Sequence, residues 1–254
     1  MKNYKTDYLL GLADNALILA QRNSEWCGHG PVLEQDIAIT NISLDLIGQA
    51  RNFYQYAAAN INIANNESAT EDSLAYLRDV TEFRNSLLVE LPKGDWAVTI
   101  LRQFLFSNYQ TLLLQQLQKS NDAQIAAIAA KSLKEATYHL RWSSEWVIRL
   151  GDGTEESHIR MNAAIEDLWP YTGELFLMVP YELQAFEAGL GVDVSTLQNE
   201  WLHKTAAVFE EATLKIPEKV FMQSGGKTGR HTEHLGYILA ELQFMQRAYP
   251  NSEW

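Results

Sequence analysis

The sequence holds a single cysteine, Cys27, so no disulfide can form within the chain. Cationic side chains are scarce: 20 Lys and Arg stand against 32 Asp and Glu, a formal net charge of −12. A surface with that balance repels phosphate backbones and anionic headgroups, which argues against nucleic acid and membrane as partners. Only six prolines and 14 glycines occur in 254 residues, leaving long stretches without a helix breaker. Apolar runs fall well short of the roughly 20 residues that a bilayer span needs. The N-terminal stretch MKNYKTDYLLGLADNALILAQRN lacks an unbroken apolar centre and a small-residue cleavage site. It reads as an amphipathic helix rather than a secretion signal, and the expected location is the cytoplasm. No segment alternates apolar and polar residues over enough length for a strand, and no internal repeat is visible.

What the sequence has in abundance is helical periodicity. Leu9, Leu10, Ala13, Ala16, Leu17 and Ala20 recur at three- to four-residue spacing and predict a first helix ending near Arg22. After the loop NSEWCGHGP, Pro31 suits the first turn of a long second helix running to about Asn60, with Leu33, Ile37, Leu44 and Ile47 as its apolar face. INIANNES is expected as a linker. A third helix is predicted over 70–90, stopped by LPKGD, and Asp95 can cap a fourth from Trp96 to about Gln118. SND (120–122) makes a short break with another cap, and a fifth spans Ala123 to Leu150. A sixth covers about 154–178 and is bent or broken near Pro170. Residues 180–192 are irregular or a short helix, a seventh begins at Asp193 or Ser195, and a last one runs from about His231 to Ala248. Long helices joined by short turns specify an antiparallel bundle with extra C-terminal helices, all-α and a single domain over residues 1–254.

A helical bundle can hold a pair of metal ions between carboxylates and Glu-x-x-His pairs, because residues three apart share a face. The long helices of this chain do not carry that pattern. Asp45 is followed at three residues by Gly48, and Glu135 by Tyr138, with His139 one position late and rotated by about 100°. The fourth helix offers Ser107 and Asn108 where a carboxylate is wanted, and the first offers Asp14 and Asn15. Asp45, Glu135, Tyr138 and His139 therefore read as a hydrogen-bonded remnant of a metal pocket. No residue is assigned as catalytic, cofactor-binding or metal-ligating.

Three other motifs have bland readings. SGGKTG (224–229) contains GKT but lacks the earlier glycine and the strand of a phosphate-binding loop. His231 and His234 open the last helix without a third metal ligand, and His231 shares a face with Leu235, Ile238, Leu242 and Met245. Cys27 and His29 sit in a tight EWCGHG turn with no orienting third group for nucleophilic catalysis.

Three blocks, EWCGHGPVLEQDIAITNISLDLIGQARNF (25–53), KEATYHLRWSSEWVIRLGDGT (134–154) and GGKTGRHTEHLG (225–236), resemble the ferritin-like family of the structural (C-type) subunit of bacterial ring 1,2-phenylacetyl-CoA epoxidase. The resemblance runs along essentially the whole chain. It implies a ferritin-like fold and a place in a multicomponent enzyme that epoxidises the ring of phenylacetyl-CoA with molecular oxygen, in phenylacetate catabolism. It further implies a homologous catalytic partner carrying the di-iron centre, and a reductase subunit bringing electrons from NADPH. In this chain it implies no cofactor, since the ligand positions hold Gly48, Ser107 and Tyr138. A homodimer is also open. Two rival readings remain at this stage: an active di-iron oxygenase in its own right, and a module binding CoA or another anion through Lys227 and Arg230 beside the helix start at His231.

Overall fold

The computed structural model describes residues 3–66, 68–250 and 252. Among them the secondary structure is helical, with no strand, in keeping with a ferritin-like all-α fold. The chain forms two compact units, residues 1–92 with 225–254, and residues 93–224.

The first unit is built on a helical hairpin, α1 (Tyr4–Ser24) and α2 (Leu33–Asn65). The pair is antiparallel: Lys5 Nζ at the start of α1 donates to the Tyr56 hydroxyl late in α2 at 2.8 Å. Asn3 caps α1 by accepting from the Lys5 amide. The predicted α1 face is buried, including Leu9, Ala13, Ala16 and Ala20. Two sequence expectations for α2 fail. INIAN continues the helix, because nothing in it breaks one, and the helix stops where Asn66 adopts the left-handed conformation (φ 55°). The packed face is Ile39, Ile42, Leu46, Ala50, Phe53 and Ala57, while Leu33, Ile37, Leu44 and Ile47 are exposed. Apolar residues lie on two sides of this helix, and periodicity does not say which side meets α1. The side carrying Ala50 and Ala57 is the one packed in the core.

Residues 70–90 do not form one helix. They give α3 (Glu71–Tyr76), a 3-10 turn at Val80–Glu82, and α4 (Leu87–Glu90). Asp79 and Glu82 make a capping box, which restarts the chain in a new direction. The C-terminal segment adds a 3-10 turn at Gly226–Thr228, then α10 (Glu233–Leu242) and α11 (Phe244–Ala248) to this unit, numbered after the helices of the second. The predicted last helix therefore starts two residues late and is interrupted at Gln243.

The second unit is built on α5 (Trp96–Leu117) and α6 (Ala123–Gly151). Both predicted caps form: Asp95 accepts from Val98 N, and Asp122 from Gln124 N and Ile125 N. These two helices are also antiparallel. The Trp96 ring lies 6.1 Å from those of Trp142 and Trp146, edge to face. Helix α7 (Glu155–Leu168) gives way to 3-10 turns around Pro170, where the sequence predicts a bend. The short helix α8 (Pro180–Glu187) and α9 (Gln198–Glu211) complete the unit. Trp201 of α9 is 1% exposed and its Nε1 donates to Leu105 O at 3.0 Å, which ties α9 to α5.

Candidate functional site

Helix α5 is buried on nearly every side, and its interior carries polar groups that must be satisfied locally. Gln103, Ser107 and Thr111 lie one turn apart on one stripe. Gln103 Nε2 donates to Ser107 Oγ at 2.8 Å, and Thr111 Oγ1 donates to Ser107 O at 2.7 Å. Asn108, fully buried, donates from Nδ2 to Trp201 O and Thr205 Oγ1, both at 3.0 Å. Every group in this set is neutral. Carboxylates and imidazoles, not amides and hydroxyls, are the ligands iron favours, so the α5 interior does not fit a di-iron centre. It holds α5 and α9 in register instead.

Of the remnant-pocket candidates, Glu135, Tyr138 and His139 lie on α6 and Asp45 lies on α2 of the first unit. His139 is fully buried, Asp45 and Glu135 are half-buried, and Tyr138 is 43% exposed. The rings of Tyr138 and His139 meet edge to face at 6.2 Å. Gly48 has open space where a side chain would begin. Sequence reasoning, which expects no Glu-x-x-His anywhere in the chain, misses two such patterns, at Glu155 with His158 in α7 and at Glu200 with His203 in α9. Glu155 is exposed, and His158 Nδ1 lies 2.7 Å from Gly151 O. Glu200 and His203 are both exposed, and Glu200 pairs with Lys204 at 2.9 Å. Among the described residues no three His, Cys, Asp or Glu side chains come together in a way that would hold a metal ion.

The strongest polar chemistry of the first unit lies elsewhere. Asp14, fully buried in α1, accepts from the Tyr54 hydroxyl at 2.5 Å, from both terminal nitrogens of Arg78, and from the Arg84 amide at 2.7 Å. Burial, with the Asp14 charge behind it, pushes the Tyr54 phenol well above its ordinary value. Burial also works against the Arg78 charge, but Asp14 beside it more than compensates and holds the guanidinium protonated. A second cluster centres on Glu90. Its carboxylate lies 2.7 Å from His231 Nδ1 and accepts from Asn85 Nδ2, Thr232 N and Thr232 Oγ1. His231 Nε2 lies 3.1 Å from Phe83 O, so both ring nitrogens face acceptors. The inward position of His231 is thus as its spacing predicts, although it precedes α10 rather than opening it. Sequence reasoning misses both charged clusters. The one signal each leaves is a lone acid inside an apolar run: Asp14 in LLGLADNALILA and Glu90 in LLVEL.

The remaining motifs are structural. In the GKT turn Lys227 is 3% exposed, so it is not presented to an anion in solvent. A Cβ on Gly226 would stand 2.3 Å from Asn85 O, and Gly229 takes φ 83° against Thr81 O, so this turn needs its glycines to pack. Cys27 is exposed, and the turn around it is stapled by Asp36, which accepts from Gly28 N at 3.2 Å and Gly30 N at 2.9 Å. Those backbone bonds, Gly30's first, hold the Asp36 carboxyl below its usual value. No helix among the described residues is long and apolar enough to cross a membrane.

The chain is similar to the C-type subunit of 1,2-phenylacetyl-CoA epoxidase from Escherichia coli (strain K12), with 48% identity over 252 residues, spanning 99% of this chain and 100% of that protein. The family model described as phenylacetic acid catabolic protein matches residues 1–254, and the chain belongs to that family.

Proposed function

We propose that this chain is the non-catalytic structural subunit of a multicomponent monooxygenase that epoxidises phenylacetyl-CoA in aerobic phenylacetate catabolism. Its similarity to an epoxidase subunit along its full length supports a role in that reaction. The observation that carries the non-catalytic part is the α5 interior. Gln103, Ser107 and Thr111 hydrogen-bond along α5 and Asn108 donates to α9, and none of the four is a carboxylate that could take iron. In this reading the di-iron centre belongs to a homologous catalytic subunit and electrons arrive through a reductase subunit. This chain acts in the cytoplasm as one ferritin-like domain, 1–254, that holds the iron-bearing helices rigid. Subunit interfaces of this kind commonly bury on the order of 2,000 Å2 or more, enough to fix a partner's metal shell.

Reconstitution tests the proposal. The catalytic subunit with reductase, NADPH and oxygen is expected to epoxidise phenylacetyl-CoA only when this chain is added. This chain with the reductase alone is expected to give no epoxide. Turnover by this chain without the catalytic subunit would overturn the reading.

A further inference from the structure

The face of α2 that the sequence marks as apolar is the one that the fold leaves outside. Leu33 is 71% exposed, Leu44 60%, Ile37 52% and Ile47 37%. Isolated exposed aliphatics are ordinary, but these are in register. Leu33, Ile37, Thr40, Leu44 and Ile47 follow one another at four, three, four and three residues. That is the 3.5-residue repeat of a helix-pairing seam, narrower than the stripe a helix buries against its own core. The seam runs for about 21 Å along the helix. It ends at Arg51, whose Nε lies 3.3 Å from Glu71 Oε1.

Gly48 is a second, independent sign. It lies mid-helix beside Leu44 and Ile47, where glycine weakens a helix. Nothing within 4 Å would oppose a side chain there, so no packing inside the chain requires it. A glycine flanking a seam lets another helix approach closely.

The charges around the seam select the occupant. On α2 the seam is flanked by Glu34, Asp36 and Asp45, and no Lys or Arg occurs on this helix before Arg51, which is paired with Glu71. A second copy of this chain would bring the same carboxylates to the seam, on a molecule already at −12. Like charges across an interface are costly, and opposite ones steer association. We propose that the α2 seam docks a helix of another protein, one whose apolar a/d seam is flanked by Lys and Arg. Resting on the function proposed above, that helix belongs to the catalytic subunit of the epoxidase.

The test is affinity for the purified catalytic subunit, measured by calorimetry or sedimentation with the full chain and with Leu44→Glu and Gly48→Leu. Leu44→Glu is expected to weaken binding at least about 30-fold and Gly48→Leu at least about tenfold. Both variants should keep the parent's circular dichroism and melt no lower than the parent, since neither position packs inside the chain and leucine in place of a mid-helix glycine favours the helix. Parent affinity should fall as salt is raised. If the parent binds and both folded variants bind equally well, the seam is not the docking surface, and the structural-subunit reading survives. If the parent does not bind, both proposals fail. If instead the chain self-associates and Leu44→Glu abolishes that, the heterologous occupant is wrong.

Discussion

Asp14→Asn is the sharpest probe of what holds the first unit together. The substitution keeps the shape of the side chain and removes its charge. Arg78, whose side chain is 9% exposed, would then be a guanidinium without its counter-charge, and the new amide nitrogen would face the Tyr54 hydroxyl or an Arg78 donor. Removing one partner of a buried ion pair costs about 3–5 kcal/mol, mostly the penalty of the stranded charge. Against a total stability of about 5–15 kcal/mol that is a large fraction. For a chain of this length each kcal/mol moves the melting temperature by about 2–4 °C, so a fall of about 6–20 °C is expected. Differential scanning calorimetry reads it. The double variant Asp14→Leu with Arg78→Met should recover the stranded-charge part of the loss and not the rest, because the Tyr54 hydroxyl and the Arg84 amide still lose their acceptor. An Asp14→Asn protein that melts within about 2 °C of the parent would refute the reasoning, since less than about 1 kcal/mol would then be at stake.

Glu90→Gln should cost about 1–3 kcal/mol, because the amide must turn a donor toward either the His231 or the Thr232 hydrogen bond. Hydrogen exchange should report faster opening of residues 225–243, and unchanged exchange there would count against the cluster as the anchor of that segment. Gly229→Ala should cost about 1–3 kcal/mol, since its φ of 83° and the 2.4 Å approach to Thr81 O leave no place for a methyl group; a melting curve equal to the parent's would contradict this. The Asp36 carboxyl titrates lower in the folded chain than its ordinary 3.8, so its contribution is present above that pH and is lost as pH falls through the depressed value. Urea titrations of parent and Asp36→Asn should therefore differ at neutral pH and converge in acid. A difference that persists or grows in acid would have the wrong sign.

How much of the molecule is legible in its sequence depends on which physical signal each feature leaves. Helix positions are readable because breakers and caps are local: Asp95 and Asp122 both cap as their placement predicts. Orientation is not. Leu33, Ile37, Leu44 and Ile47 have the right spacing for a core face, yet the packed side of α2 is set by tertiary fit around Ala50 and Ala57. The break-up of 70–90 is hidden for a similar reason. Arg78 reaches Asp14, 64 residues away, and no local propensity encodes that contact. The candidate site is partly legible. The expectation that Gly48, Ser107 and Tyr138 are not ligands rests on residue type and spacing alone. That Asn108 joins α9 through Thr205 and Trp201 cannot be read that way, because the contacts span 97 and 93 residues of chain.

In the proposed role this chain lends structure to an iron enzyme without holding iron itself. Elemental analysis tests that most directly: the chain is purified alone, incubated with Fe(II) under anaerobic conditions, desalted and assayed for iron. The account predicts iron near zero per chain. About two irons per chain, the complement of a di-iron bundle, would contradict it and make Asp45, Glu135 and His139 the first ligands to replace.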